Sequence, residues 1–536
     1  MHYFSIDSLS AFVGFFICLF TVFIAVYSLG FMQQSKRLVG FFIYIFATLI
    51  VSLGAVFAGN LLVLMVFWGF LGLLLYLLIG FDQNPAALKT AKKTFIIVGG
   101  TDAIMIMGLA LIWKLTRDLS LSQPGILLNS KLAVWAYLCL AAGAFAKAGV
   151  MPFHTWVPDA AEDAPIPVAA YLPACLDKLI GIYFFTRITI DLFVLDAKMS
   201  TFMMAIGSFT IIAAVMMALI QHDMKRLLGY HAVSQAGYMV LGIATLTPIG
   251  IAGGLFHMLN NAIYKYSLFL SAGSVQKKTS TTDLDKLGGI AKFMPITFAC
   301  FLIASLAISG IPPLNGFASK WMIYQGVIET SRGSSGLWVL WLVAALFGSA
   351  LTLASFMKLI HAVFLGQPTK INGSTSEVSQ PQEVSVQMWL PNVILAVLCV
   401  VFGVFAYRIP LGLFIFSTID KDVTFAGMWN ASLATLLLIA GVAVGFVIYL
   451  MGSFQKMRQT DIFVGGEDAK QHPGMKISGV SFYDTVKDLP FIKVIYSAAK
   501  IKLFDIYAVL KNLILAGNRI FGHLHNGILP TYLAWC

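Results

Sequence analysis

Long apolar runs separated by short polar breaks dominate this sequence, and they constrain the fold more than any single motif. Runs recur near 9–30, 38–58, 60–81, 94–113, 131–150, 166–190, 202–220, 228–246, 249–273, 295–311, 316–331, 337–365, 389–408 and 428–451. Each approaches the roughly 20 residues that an α-helix needs to cross a bilayer. Backbone groups in hydrocarbon must find partners within their own segment, which makes these runs helices rather than strands. About fourteen such helices would occupy roughly 280 residues, about half of the 536 present. The fold class that follows is all-α, a polytopic membrane protein of about fourteen transmembrane helices.

Composition supports this reading. Hydrophobic residues make up 59% of the chain and charged residues 11%, against about 25% charged in soluble domains. Mean hydropathy is +0.87. The net charge of +11 is the Lys and Arg excess that cytoplasmic loops of membrane proteins collect. No basic run interleaved with aromatics lies outside the apolar segments, so a nucleic-acid partner is not expected. The six cysteines include no CxxC pair, which speaks against an iron–sulfur cluster or a zinc site. We therefore expect no cofactor and no metal. Any electrons in the system would run through another subunit. The first apolar stretch is long enough to remain as a span, so no separate signal peptide is expected.

Loop charge sets the orientation. One side collects Lys36, Arg37, Lys89, Lys92, Lys93, Lys225, Arg226, Lys277, Lys278, Lys286 and Lys292, and should face the cytoplasm with the N-terminus outside. The acidic stretch Asp159 to Asp163 falls in a loop on this basic side. Lys89 is likewise read as a loop residue. A break in character near residue 455 divides the chain into a transmembrane domain, 1–454, and a C-terminal extension, 455–536. Residues 367–387 read as a polar loop. In the extension, 455–480 is polar, and 481–520 alternates charged with apolar residues as a helix lying on the membrane surface or against a partner would. The chain stops at Cys536 within a short apolar stretch, 527–535.

Ionisable residues inside spans cost at least about 2.5–3.5 kcal/mol on insertion scales and normally face the bundle interior. They are the informative positions. Lys147 lies deep in one run, with Pro152 close behind it to break the helix and free carbonyls. Broken helices beside a buried charge are a transporter feature. His257, Asn261 and Lys265 fall at i, i+4 and i+8 and share one helix face. Lys225 precedes the next span, and Lys320 follows Pro312-Pro313 and Gly316, a second interrupted helix. Asp102 and the pair Asp177-Lys178 also lie within spans. Lysine suits proton relay because burial disfavours its charged form while a nearby carboxylate favours it.

At these residues the chain resembles the antiporter-like proton-translocating subunits of respiratory complex I, a family that also covers Mrp-type sodium/proton antiporters and membrane subunits of energy-converting hydrogenases. The resemblance runs from Phe4-Ser5-Ile6-Asp7-Ser8-Leu9-Ser10 to about Gly366. It includes Phe67-Trp68 with Tyr76 to Phe81, Lys147 through Met151-Pro152-Phe153-His154-Thr155-Trp156-Val157-Pro158-Asp159-Ala160, and Asp223-Met224-Lys225-Arg226. It continues through Ser234-Gln235-Ala236-Gly237-Tyr238-Met239, Phe256-His257 through Lys265 to Ser274, and Gly316-Phe317-Ala318-Ser319-Lys320. The resemblance implies an antiporter-like fold with discontinuous helices in the inner (plasma) membrane. It also implies a polar axis in which Lys147 serves the first half-channel, Lys225, His257 and Lys265 connect, and Lys320 lies on the exit side.

The chain departs from the family at three places. Gly69 stands where the family usually carries a glutamate paired with the first lysine. Asp102 is the candidate substitute partner for Lys147, and Asp177 the second. Asn261 replaces a histidine and can relay hydrogen bonds without titrating. The resemblance further leads us to expect that one or two N-terminal helices of the family's largest members are absent here and that the C-terminus ends early. The expected function is H⁺ translocation, with Na⁺ as the alternative ion. It would take place in a redox-driven complex resembling complex I (NADH:quinone oxidoreductase) or a membrane-bound hydrogenase. The partners implied are other membrane and hydrophilic subunits and lipid. A stand-alone Mrp-type Na⁺/H⁺ antiporter and a non-conducting structural subunit are the alternatives.

Overall fold

The computed structural model describes residues 3–123, 125–333, 336–366, 382–419, 422–425, 431–451, 480, 483 and 489–525. The chain divides into two compact units, Met1–Phe482 and Tyr483–Cys536. The first is almost wholly helical. Its long helices are α1 (Ser8–Phe31), α2 (Leu38–Val56), α3 (Leu61–Ile79), α4 (Pro85–Thr116) and α5 (Lys131–Ala148). Then follow α6 (Trp156–Asp163), α7 (Ile166–Tyr171), α8 (Asp177–Thr186), α9 (Ala197–Leu219), α10 (Met224–Ala244), α11 (Pro248–Thr279) and α12 (Pro295–Ser309). The last are α13 (Asn315–Glu329), α14 (Trp338–Ile360), α15 (Val386–Val404) and α16 (Ala431–Met451). Two two-residue strands, Ile126–Leu127 and Phe193–Val194, pair in parallel.

The distribution of polarity is the reverse of a soluble protein's. Ile43, Phe46 and Ile50 on α2, Leu62, Val66 and Phe70 on α3, and Leu340, Val343 and Phe347 on α14 are exposed. His257, Asn260, Asn261, Lys265 and Ser267 on α11 are fully buried. Lipid removes the penalty for outward leucine, while polar groups must turn inward to find partners. Helices α10 and α11 are buried along nearly their whole length. The first packs on α6, α9, α11 and α13; the second also packs on α7, α12 and α15.

Among the described residues, nine helical segments are long and apolar enough to cross a membrane. Three are compound: Lys131–Asp163, Ile166–Leu192 and Trp338–Leu365. The expected count of about fourteen is not reached by this measure. Helices α10 and α11 carry too many polar side chains, and α12 and α13 have only 15 residues each. Some expected boundaries also move. The run near 94–113 belongs to a helix that begins at Pro85, capped by the Asn84 side chain, so Lys89 is an exposed helical residue rather than a loop residue. Asp159, Glu162 and Asp163, expected in a loop, lie on α6.

The second unit contains two described helices, Pro490–Lys500 and Ile506–Leu524, each with separate apolar and charged faces. Residues 455–479 of the expected polar stretch 455–480, most of the loop at 367–387 (residues 367–381), the final apolar run 527–535 and Cys536 lie outside the described residues.

Candidate functional site: a belt of buried cations between two broken helices

Both helix interruptions are built in the same way. Helix α5 stops at Ala148, where Gly149 takes a left-handed φ of +72° that L side chains rarely adopt. The Met151–Pro152 bond follows, and the chain restarts in α6. Helix α12 stops at Ser309 with Gly310 at φ +83°, then Pro312–Pro313, and restarts in α13. An ended helix leaves carbonyls without intrahelical partners and a partial negative charge at that end. Buried lysines fill both places. Lys178 donates to the Ala148 carbonyl at 3.0 Å, and Lys320 donates to the Ile308 carbonyl at 2.9 Å. The Trp156 indole takes the Ala146 carbonyl at 2.9 Å.

Between these two ends lies the polar face of α11. His257 is 2.9 Å from the Ser319 hydroxyl on α13 and 3.0 Å from the Gln235 side-chain oxygen on α10. Tyr264 closes the same group, 3.3 Å from the His257 ring. Asn261 donates to the Ala174 carbonyl at 3.3 Å, in a wide π-type turn (Leu172–Leu176) that contains Pro173. Lys265 donates to the Leu228 carbonyl on α10 at 2.8 Å. All four α11 residues are inaccessible to solvent, and so are Lys147, Lys178 and Lys320 to within 2%. Charge links the members: Lys147 with Asp177, Asp177 with Lys178, and Lys178 with Lys265 lie within electrostatic range.

Lys147 is arranged otherwise than expected. No hydrogen bond or ion pair joins it to Asp102 or Asp177 among the described residues, and its ammonium has no hydrogen-bond partner there. It sits instead over the Trp68 ring, 5.2 Å from the centroid. The Trp68 N–H donates to Asp102 at 3.0 Å. Trp68 therefore stands between the two charges. Both carboxylates remain within electrostatic range of Lys147, and one Asp177 oxygen is buried without a hydrogen-bond partner among the described residues. Gly69 explains why its own position supplies nothing here. It faces outward, and a Cβ there would meet no atom of the described residues within 4 Å.

Lys225 stands apart, in the first turn of α10, one turn before Leu228, whose carbonyl holds Lys265. It is 7% exposed and within electrostatic range of Asp223, Asp163, Glu162 and Asp82. The α6 carboxylates are neutralised by the cations around them. Asp159 pairs with Lys93 at 2.9 Å and with Arg226 at 3.2 Å, Glu162 also pairs with Arg226, and Asp163 accepts from Thr90 at 2.6 Å. The acidic stretch is thus matched by cations from α4 and α10.

Two further buried groups join the site, His231 and Lys358, both fully buried. The rule that singled out Lys147, an ionisable residue inside an apolar run, applies equally to both.

A model of the NADH:quinone oxidoreductase/Mrp antiporter transmembrane family matches residues 58–352, more than half of the chain. The chain belongs to this family. Its matched region contains both broken helices and every one of Lys147, Lys225, His257, Lys265 and Lys320. Among curated members, the chain is 32% identical over 453 residues to Na⁺/H⁺ antiporter subunit A1 of Staphylococcus haemolyticus (strain JCSC1435), covering 80% of this chain and 55% of that protein. It is 30% identical over 462 residues to Na⁺/H⁺ antiporter subunit A1 of Staphylococcus aureus (strain MRSA252), covering 80% and 55%. The chain thus spans about half the length of the curated relatives it matches. Its fold resembles a chain of the membrane-bound sulfane sulfur reductase, an archaeal respiratory membrane complex (TM-score 0.80, 23% identity, covering 98% of this chain and 87% of that one). It also resembles a chain of the Mrp complex from Dietzia sp. DQ12-45-1b (TM-score 0.70, 23% identity, 77% and 83%). This is an antiporter-like, multi-pass plasma-membrane protein of the Mrp/complex I family.

Proposed function

We propose that this chain moves H⁺ across the membrane as the antiporter-like subunit of a complex driven by redox chemistry in other subunits, a relative of complex I or of a membrane-bound hydrogenase. The observation that carries the proposal is the belt itself. Two broken helices present carbonyls to Lys178 and Lys320, and Lys265 and His257 lie between them on α11. Such groups are expensive in lipid and are retained where ions pass. Protons enter the belt at Lys147, whose charge is balanced by Asp102 and Asp177, connect through Lys225, His257 and Lys265, and leave past Lys320. On this reading the chain makes about fourteen crossings, the N-terminus lies outside, and the Lys93–Asp159–Arg226 cluster marks the cytoplasmic face. Residues 1–454 form the conducting domain. The amphipathic helices of the extension, 455–536, lie on the membrane surface or against another protein of the complex.

A second reading, Na⁺/H⁺ exchange within an Mrp-type assembly, is favoured by the names of the curated relatives. Vesicles holding the chain with the subunits encoded beside it separate the two. Interior acidification, followed with a pH-sensitive dye, should require electron flow. A Na⁺ pulse that dissipates an imposed pH gradient with electron flow blocked would favour exchange. Unchanged acidification by an intact complex carrying Lys147→Ala would reduce the chain to a structural role.

A further inference from the structure

The belt has a neighbour that the proposed path does not use. His231, on α10, is fully buried, and its Nε2 lies 2.8 Å from the Ser355 hydroxyl on α14. Its Nδ1 has no hydrogen-bond partner among the described residues. The ring packs on Phe356 at 4.8 Å, and the Lys265 ammonium lies over the same phenyl ring at 5.7 Å. His231 is also within electrostatic range of both Lys265 and Lys320. Phe356 thus lies between His231 and Lys265, at the middle of the belt rather than at one end.

From His231 the polar groups lead away from the belt. Ser355 and Lys358 are at i and i+3 on α14, neighbours on one helix face. Lys358 is fully buried and donates to two carbonyls at the end of α9, Leu219 at 2.8 Å and Gln221 at 2.9 Å. The next residue, His222, is exposed and lies 3.0 Å from Asp285. The run of groups thus starts beside the belt and ends at the exposed His222.

We infer that His231, Ser355 and Lys358 form a side branch that carries protons between the belt and the face at Gln221 and His222. The inference rests on the reading of the belt as a proton path. Each transfer balances without electrons. His231 takes a proton from the belt at Nδ1 and releases one from Nε2 to the Ser355 oxygen. The hydroxyl passes its own proton to the Lys358 amine, whose ammonium gives one to water at the Gln221 end. A flip of the imidazole resets the tautomer. The competing role is helix adhesion, since buried polar contacts also hold membrane helices together.

His231→Gln separates the two roles, because glutamine keeps a hydrogen bond to Ser355 and does not titrate. In the assembled complex, His231→Gln and Lys358→Met should each remove most coupled proton movement, and the double variant should lose no more than either alone. Lys265→Ala is measured beside them. Full proton movement in His231→Gln together with loss in Lys265→Ala overturns the branch and leaves the belt standing. Full movement in both overturns the belt itself. Where His231→Gln lowers the amount of assembled complex, Ser355→Thr and Ser355→Ala decide. A hydroxyl relay is retained by Thr and lost with Ala, whereas equal activity of the two removes the branch.

Discussion

Lys147 rests its ammonium 5.2 Å from the centre of the Trp68 ring, and the same indole donates its N–H to Asp102 at 3.0 Å. One aromatic side chain thus holds a cation by its face and a carboxylate by its edge. Cation–π contacts contribute roughly 0.5–2 kcal/mol, more when desolvated. Trp68→Phe keeps the face and removes the N–H donor; Trp68→Leu removes both. We expect Trp68→Phe to slow proton movement several-fold and Trp68→Leu to slow it further, with both complexes assembled. Dye-monitored acidification of vesicles makes the comparison. Equal activity of both variants and the unaltered protein would leave Trp68 as packing only.

The C-terminal end of α5 is held against α8 by a close backbone approach. A Cβ on Gly181 would lie 2.6 Å from the Ala148 nitrogen and 2.9 Å from the Ala144 carbonyl oxygen. Gly181→Ala must push the two helices apart and displace the carbonyl that Lys178 holds. Overpacking of this kind costs about 1–3 kcal/mol. A lowered unfolding temperature of the purified complex, with reduced proton movement, is the expected result. An unchanged melting profile would show that the helices separate freely.

Asp7 caps α1 and pairs with Arg187, at the far end of the α8 segment, at 2.5 Å. Burial raises its pKa, but the Arg187 guanidinium and the Ser10 N–H outweigh this and hold it below the ordinary 3.8. A depressed carboxylate stabilises the fold fully above its unfolded pKa and loses that contribution as pH falls through the lower folded value. The pair is partly exposed, so it is worth less than about 1 kcal/mol. Asp7→Asn should lower thermal stability slightly at pH 7. The gap to the unaltered protein should close as the buffer is taken well below pH 3.8. A gap that stays constant with pH would assign the loss to the cap alone.

Sequence made the helical membrane fold and both interruptions legible, because Pro152 and Pro312-Pro313 break helices wherever they fall. It also made the burial of Lys147, His257, Lys265 and Lys320 legible, because a charge within an apolar run has nowhere else to go. Partner choice was not legible in the same way. Which atom meets Lys147 depends on how α3, α4 and α5 pack, and an indole intervenes where a carboxylate was expected. The outward direction of Gly69 is likewise set by helix rotation rather than by residue type. His231 and Lys358 are ionisable residues within apolar runs like the other buried charges, but they lie outside the motifs that carry the family resemblance.

The belt account is tested most directly by comparing two lysines that differ in placement. Lys265 is buried at the centre and bonded to Leu228; Lys89 is exposed near the start of α4. Initial rates of coupled proton movement should be measured in vesicles carrying equal amounts of assembled complex with Lys265→Ala or Lys89→Ala. Lys265→Ala should lose most of the rate, and Lys89→Ala should match the unaltered complex. Equal rates for the two variants would contradict the belt account.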